Sequence, residues 1–112
     1  MPILDESLWG VACLCHAFAG VTEDEDAAIP ATDGLRLVGY CVRETKSPAA
    51  RAAVRLVYGE DASAGWAFLE VEIAPDASEF QWFWPGISCD GGLSLVHLAG
   101  TFNVALYTVT VA

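Results

Sequence analysis

Apolar residues alternate with other residues at a period of two, in short runs bounded by turn residues. The runs are LRLVGYCVRE (35–44), AAVRLVYG (52–59), GWAFLEVEIAP (65–75), EFQWFWPG (79–86), LSLVHLAG (93–100) and TFNVALYTVTVA (101–112). Successive side chains of a β-strand point to opposite faces, so this period predicts strands. Their spacing of roughly ten residues predicts an all-β fold, a single antiparallel β-sandwich (jelly-roll-like or Ig-like) of about 7–8 strands.

The length and apolar content fit one domain with its own core. The chain has 112 residues, of which 54% are hydrophobic, and a chain of this size forms one compact unit. We therefore predict a single sandwich domain over 1–112. Residues 34–112 form its regular part, and residues 1–33 form a less typical N-terminal strand or arm followed by an acidic loop. Strict alternation in 35–44 places Leu37 and Gly39 on one face and Val38 and Tyr40 on the other.

The N-terminal third departs from the regular alternation of the later segments. SLWGVACLCHAF (7–18) fits a helical face, but Gly10 and the run of Val, Cys and Phe favour a strand from about 10 to 19. TEDEDAAIPATDG (22–34) is predicted to be a solvated loop, because its four consecutive acids repel one another. These acids lack the alternate spacing, central Gly and terminal Glu of a calcium-binding loop.

The segment CLCH (13–16) is the first candidate for chemistry. In a strand, Cys13 and Cys15 point one way and His16 the other, so the three do not converge as a metal site requires. Because a free Cys behaves as a small buried hydrophobic residue, we predict buried structural thiols and no metal. In a helix Cys13 and His16 would share a face, with Cys41, Cys89 and His97 as the other available soft ligands. A metal-dependent enzyme built on this segment is the last-ranked hypothesis.

Catalytic motifs are missing from the sequence. It contains neither G-x-S-x-G nor H-E-x-x-H, and its acids form no distinctive pair. His16 and His97 both sit in apolar runs, which is typical of residues on strand faces. We predict a non-enzymatic protein with no catalytic residues and no cofactor.

Charge is distributed unevenly along the chain. The net charge is −10. Affinity for nucleic acid comes from clustered Lys and Arg, so we predict no nucleic-acid partner. All the basic residues lie in one stretch: Arg36, Arg43, Lys46, Arg51 and Arg55. They fit either a solvated hairpin or a patch that meets an oppositely charged neighbour, and they are included in the predicted interface. The sequence has no apolar stretch long enough for a transmembrane helix. Asp5 and Glu6 occupy positions where a secretory signal would carry positive charge, so we predict no signal peptide. We expect no membrane association, and cysteines kept as thiols in a cytoplasm.

The segment FQWFWPG (80–86) concentrates large rings. Phe80, Trp82 and Trp84 share one face of a strand, with Gln81 and Phe83 on the other. Both faces cannot be core in a two-layer sandwich, so one is expected to meet a loop or a neighbouring chain. Packing favours a core or protein interface over a sugar-stacking platform. The predicted interface adds these residues to the basic group: Leu8, Trp9, Trp82, Phe83 and Trp84.

The order of these motifs resembles small β-sandwich structural proteins of tailed phages, common among phages of actinobacteria. The resemblance covers about residues 34–112 and is carried by turn chemistry between alternating strands. Its motifs are Arg43-Glu44, the small-residue loop Ser47 to Ala50, Tyr58-Gly59, the turn Ala74 to Ser78, the aromatic strand Trp82 to Gly86, and Gly92-Leu93 to Gly100.

The resemblance implies a component of the virion. Proteins of this group look like capsid decoration proteins, head or collar fibres, or tail-associated pieces. The leading expectation is decoration of the outside of the capsid, made in the host cytoplasm. Its partners would be the major capsid protein and/or other copies of the chain, possibly as trimers. The alternative is a collar- or tail-associated module that binds glycans or cell surfaces through Trp82 and Trp84.

Overall fold

Eight strands make up the regular structure of the computed structural model, which describes residues 13–111. They are β1 (Leu14–Val21), β2 (Glu25–Ile29), β3 (Leu35–Glu44), β4 (Ala52–Tyr58), β5 (Ala67–Ile73), β6 (Ser78–Ser88), β7 (Leu93–Ala99) and β8 (Phe102–Thr110). All pairings are antiparallel, in two four-stranded sheets. The predicted all-β fold, a single antiparallel sandwich of about eight strands, is confirmed.

The strand order selects between the two sandwich types left open by the sequence. The first sheet has the order β1-β8-β3-β6 and the second β2-β7-β4-β5. The pairs β1–β8, β2–β7, β3–β6 and β4–β5 therefore form one long antiparallel ribbon that turns back between β4 and β5. Successive pairs alternate between the sheets, so the ribbon is wound around the core. This winding is that of a jelly roll.

The core lies between the two sheets and is built from the inward-facing residues of the alternating runs. Its largest side chains are almost fully shielded from solvent, and they include Leu37, Leu56, Leu93, Leu95, Phe102 and Leu106. Burying one such side chain contributes about 1.5–3 kcal/mol. The sandwich thus depends on alternation for its core, as the sequence indicates.

The acidic segment 22–34 was predicted to be a solvated loop, and this is wrong in its central part. Residues Glu25–Ile29 form β2, at an edge of the second sheet. The Asp24 carboxylate accepts a hydrogen bond from the backbone N–H of His97 at 2.8 Å, and the Asp26 carboxylate accepts one from Ala62 at 2.8 Å. These acids satisfy backbone donors of other segments, which offsets their mutual repulsion.

The expected strand at 10–19 is present as β1, which begins at Leu14. Residues 10–12 lie outside the described part of the chain, as do the predicted interface residues Leu8 and Trp9. Cys13 and Cys15 are exposed, so the prediction that they are buried structural thiols is wrong. Cys15 pairs with Tyr107 of β8, whose side chain points away from the core, and Cys15 shares that outward direction.

A bulge in β3 changes which residues of that strand face inward. Leu37 pairs with Thr108 and Gly39 with Tyr107, so two steps along β3 match one step along β8. The extra residue at Val38 reverses the alternation, and both Leu37 and Tyr40 join the core. The strictly alternating assignment from the sequence is therefore wrong beyond Leu37.

Strand β6 is irregular where it passes the bulge at Val38, and it continues to Ser88 instead of ending at the Pro-Gly pair. Trp82 pairs with Gly39, and Ile87 pairs with Leu37. The four residues 83–86 of β6 therefore lie opposite a single residue of β3, Val38. The Arg36 guanidinium donates to the carbonyls of Pro85 (2.8 Å) and Gly86 (3.0 Å). Gly86 has φ +97°, and a Cβ there would lie 2.8 Å from Val38, so only glycine fits.

Glu44 connects two loops at one end of the sandwich. Its side chain is 3% exposed, and its carboxylate accepts hydrogen bonds from the backbone N–H groups of Lys46 (2.6 Å) and Asp76 (2.7 Å). The bond from Asp76, helped by those from Lys46 and Ala50, holds the pKa of Glu44 below its usual value. The charged carboxylate therefore stabilises the folded state.

We expect Glu44→Gln to lower the Tm by about 5–10 °C at neutral pH. Because the folded pKa is depressed, the wild-type stabilisation is fully present above the unfolded value near 4.5 and is lost as the pH falls through the folded value. Thermal unfolding from pH 7 to pH 3 measures this: the wild type should lose stability more steeply below pH 4.5 than the variant. Glu23→Gln, at an exposed loop position, is the control. Parallel profiles of the wild type and Glu44→Gln would contradict the assignment.

Candidate functional site

The outward-facing side of the first sheet, here called the outer face, is the candidate site. Strand pairing arranges its residues in three rows that cross the sheet. The rows are Trp82, Gly39, Tyr107 and Cys15; then Phe80, Cys41, Ala105 and Ala17; then Ser78, Arg43 and Asn103. The alternate rows, such as the one through Tyr40 and Leu106, face the core.

Three rings form an aromatic cluster on this face: Phe80, Trp82 and Tyr107. The ring centroids of Phe80 and Tyr107 are 6.2 Å apart, and those of Trp82 and Tyr107 are 6.3 Å apart. Phe80 is 58% exposed and Trp82 49% exposed. A Cβ at Gly39 would lie 2.7 Å from the Trp82 ring, so the glycine lets the indole lie over the sheet. Trp84 follows in the irregular part of β6 and is also exposed.

The outer face carries no acidic residue among residues 13–111. The strands of the first sheet contain two acids, Glu44 and Glu79. Glu44 is buried, and Glu79 lies in a core-facing row and accepts a hydrogen bond from the Tyr40 hydroxyl. This is notable in a chain with 15 acids and a net charge of −10. Depletion of charge around exposed aromatic rings is typical of the centre of a protein interface.

Beside the aromatic cluster the outer face has a shallow depression of about 300 Å³. Small side chains form its floor, and Arg43 and Asn103 supply its polar groups. The main lining residues are Ala17, Ala19, Cys41, Arg43, Asn103 and Ala105. The face thus combines projecting rings with a recess, a shape that accepts projecting side chains of a partner.

The structure separates the members of the predicted aromatic patch. Trp82 and Trp84 are exposed, whereas Phe83 points inward, packs against the core and lies 6.2 Å from Tyr40 between ring centroids. Phe80 takes the place assigned to Phe83. Sequence alternation already placed Phe80 with the two tryptophans. Tyr107 was missed, although it alternates with the buried positions 106 and 108.

The five basic residues do not form one patch. Arg51 and Arg55 make ion pairs with Glu72 and Glu70 on the second sheet. Arg36 binds backbone carbonyls, and Lys46 lies in the loop after β3. Only Arg43 belongs to the three rows of the outer face. Clustering in sequence did not produce clustering in space, because β3 and β4 belong to different sheets.

The histidines take part in packing. His16 Nε2 lies 3.0 Å from the Thr108 hydroxyl, and His97 Nε2 lies 2.6 Å from the Gly100 carbonyl. The His97 ring also stacks on Phe102 at 5.7 Å between centroids. Within 13–111, no group of three or more His, Cys, Asp or Glu side chains is arranged to hold a metal ion. Both histidine rings are thus engaged by neighbouring protein groups.

The cysteines differ in exposure, which predicts their reactivity. Cys13 and Cys15 are exposed, Cys41 is half-buried and Cys89 is buried. Burial raises the pKa of Cys89 from 9.0 to about 11, which leaves about a hundredfold less thiolate near pH 8. Alkylation by iodoacetamide followed by peptide mapping should label Cys13 and Cys15 first, Cys41 later, and Cys89 only after unfolding. Fast labelling of Cys89 in the folded protein would contradict this order.

No protein-family model matches the chain, and no curated protein is significantly similar to it in sequence. Residues 13–111 contain no helix that is long and apolar enough to cross a bilayer.

Proposed function

We propose that this protein is a non-enzymatic structural component of a phage virion, bound through its outer face to the outside of the major capsid shell. It is made in the host cytoplasm and acts at the particle surface. Two lines support the proposal: the resemblance of residues 34–112 to phage β-sandwich proteins, and the chemistry of the outer face.

The aromatic outer face, whose described rows contain no acid, is the observation that carries the proposal. The outer side of the second sheet has the ordinary chemistry of a solvated surface, with the ion pairs Arg51–Glu72 and Arg55–Glu70. The first sheet presents Phe80, Trp82 and Tyr107 instead. In protein interfaces, large aromatic side chains with few charged neighbours contribute most of the binding energy. Removing this surface from water on binding a protein partner is favourable.

The jelly-roll fold is compatible with this role but is not specific to it. Jelly rolls occur in viral capsid proteins, and also in lectins and cupins. Since one fold supports many functions, the chemistry of the outer face supports the proposed role more specifically than the topology does.

Glycan binding at the collar or tail is the second candidate, and the exposed indoles of Trp82 and Trp84 favour it. A sugar also needs convergent hydrogen-bonding groups around the stacking ring. The residues beside Trp82 in the rows are Gly39, Cys41 and Tyr107, which offer few such groups. The face therefore suits a protein partner better.

Reconstruction of the purified particle of the encoding phage tests the proposal. Ordered copies of the jelly roll on the capsid surface, with the outer face against the major capsid protein or neighbouring copies, are expected. A trimer would appear as three copies around a local axis. Density at the neck or tail alone would favour the glycan-binding candidate, and absence of the chain from the particle would refute the virion role.

A further inference from the structure

The charge and shape of the depression on the outer face specify the partner more closely. We infer that this depression receives an apolar side chain from an acidic segment of the partner protein, whose carboxylate pairs with Arg43. The inference rests on the proposed function for the identity of the partner, and on the geometry of the depression for the chemistry.

Arg43 is a cation on the outer face that no described side chain between residues 13 and 111 neutralises. It is exposed and lies in the row between Ser78 of β6 and Asn103 of β8. It makes no hydrogen bond or ion pair with any of residues 13–111, whereas Arg36, Arg51 and Arg55 are all engaged. A planar guanidinium suits a carboxylate, which it can bind through two parallel hydrogen bonds.

The recess beside Arg43 selects for apolar groups. Its floor is made by Ala17, Ala105 and Cys41, and the Asn103 amide oxygen is already engaged by the Gly20 N–H at 2.8 Å. A volume of about 300 Å³ is at the small end of natural ligand pockets. It suits one or two side chains next to the carboxylate.

Charge complementarity decides the sign of the partner. The chain carries a net charge of −10, so an acidic segment is repelled by most of its surface. The outer face is where that repulsion is weakest, because its described rows contain Arg43 and no acid. A basic partner segment would instead be drawn to the carboxylates elsewhere. An acidic segment is therefore repelled less by the outer face than by the rest of the surface, and this difference in repulsion makes its binding specific for the outer face.

A pair of dyes tests this chemistry without the partner. The anionic apolar dye 8-anilinonaphthalene-1-sulfonate serves as the charged probe, and uncharged Nile red serves as the neutral one. Titrations are followed by dye fluorescence and by energy transfer from tryptophan. Arg43→Gln should weaken binding of the anionic dye about two- to fivefold and leave the affinity for Nile red unchanged. Ala105→Phe, which fills the recess, should weaken the binding of both dyes.

Arg55→Gln is the matched control, since it removes the same side chain from the second sheet. This variant should bind both dyes with the affinity of the wild type. Each variant is first shown to melt cooperatively, because loosely packed states bind such dyes non-specifically. Equal binding of the anionic dye by the wild type and Arg43→Gln, or an equal loss in Arg55→Gln, would overturn the inference.

The particle map separates this inference from the proposed function. If the protein decorates the capsid, a partner Asp or Glu carboxylate should lie within about 4 Å of the Arg43 guanidinium, as in an ion pair. A basic partner residue at that position would overturn the inference while leaving decoration intact. If the protein is absent from the particle, selective loss of the anionic dye in Arg43→Gln would still support the anion subsite.

Discussion

Trp82→Ala is expected to weaken binding of the protein to its capsid shell by about 30- to 1,000-fold, the range for a central aromatic hot spot. Trp82 lies on the edge strand β6, and its ring turns inward over Gly39 of β3 and lies next to Tyr107 of β8. Its ring is 49% exposed in the free protein and would be covered in the complex. Cosedimentation of purified protein with shells that lack it, over a concentration series, gives the two affinities.

Trp66→Ala is the matched control for this loss. Trp66 is 82% exposed and directly precedes β5 in the second sheet, away from the outer face. Its carbonyl accepts a hydrogen bond from the Tyr58 N–H, and the backbone carbonyl survives the substitution. Shell binding by this variant should match the wild type. If Trp66→Ala abolishes binding and Trp82→Ala does not, the interface lies on the other sheet.

Phe102→Ala is expected to destabilise the folded protein by about 3–5 kcal/mol, the cost of emptying a phenylalanine site in a core. Phe102 is 0% exposed and stacks on His97, while its backbone pairs with Glu44. The loss is a large fraction of the roughly 5–15 kcal/mol that stabilises a domain of this size. Urea unfolding monitored by tryptophan fluorescence measures it.

Phe80→Ala removes the same side chain from the outer face and serves as the control. Because Phe80 is 58% exposed, its loss should change stability by less than about 1 kcal/mol. The same variant should bind the capsid shell more weakly, since the ring belongs to the aromatic cluster. Comparable destabilisation by the two alanine variants would contradict the assignment of inner and outer faces.

Several features could be predicted from local patterns. Alternation located β3 over 35–44, where the predicted and observed bounds agree, and placed the other long strands to within a few residues. It also put Phe80, Trp82 and Trp84 on one face, and all three are exposed. Both results depend on the two-residue period of a strand, which is a local property of the backbone.

Other features could not be read from such patterns. β2 lies in an acidic segment that reads as loop, and Asp24 and Asp26 reach donors at His97 and Ala62, 73 and 36 residues away. The bulge at Val38 reverses the faces of β3 and is detected only where β3 meets β8. Neither feature has a short-range signal in the sequence.

The sequence by itself thus determined the class of fold and, outside the bulge at Val38 and the irregular part of β6, which residues of a strand share a face. The tertiary structure decided which strands become neighbours, because the jelly roll joins β1 to β8 across most of the chain. The β1–β8, β3–β8 and β3–β6 pairings together place Cys15, Tyr107, Gly39 and Trp82 in one row. The winding also places Arg43 of β3 and Arg55 of β4 in different sheets. Period-two alternation orients side chains relative to their own strand, whereas a binding face depends on contacts between residues far apart in sequence.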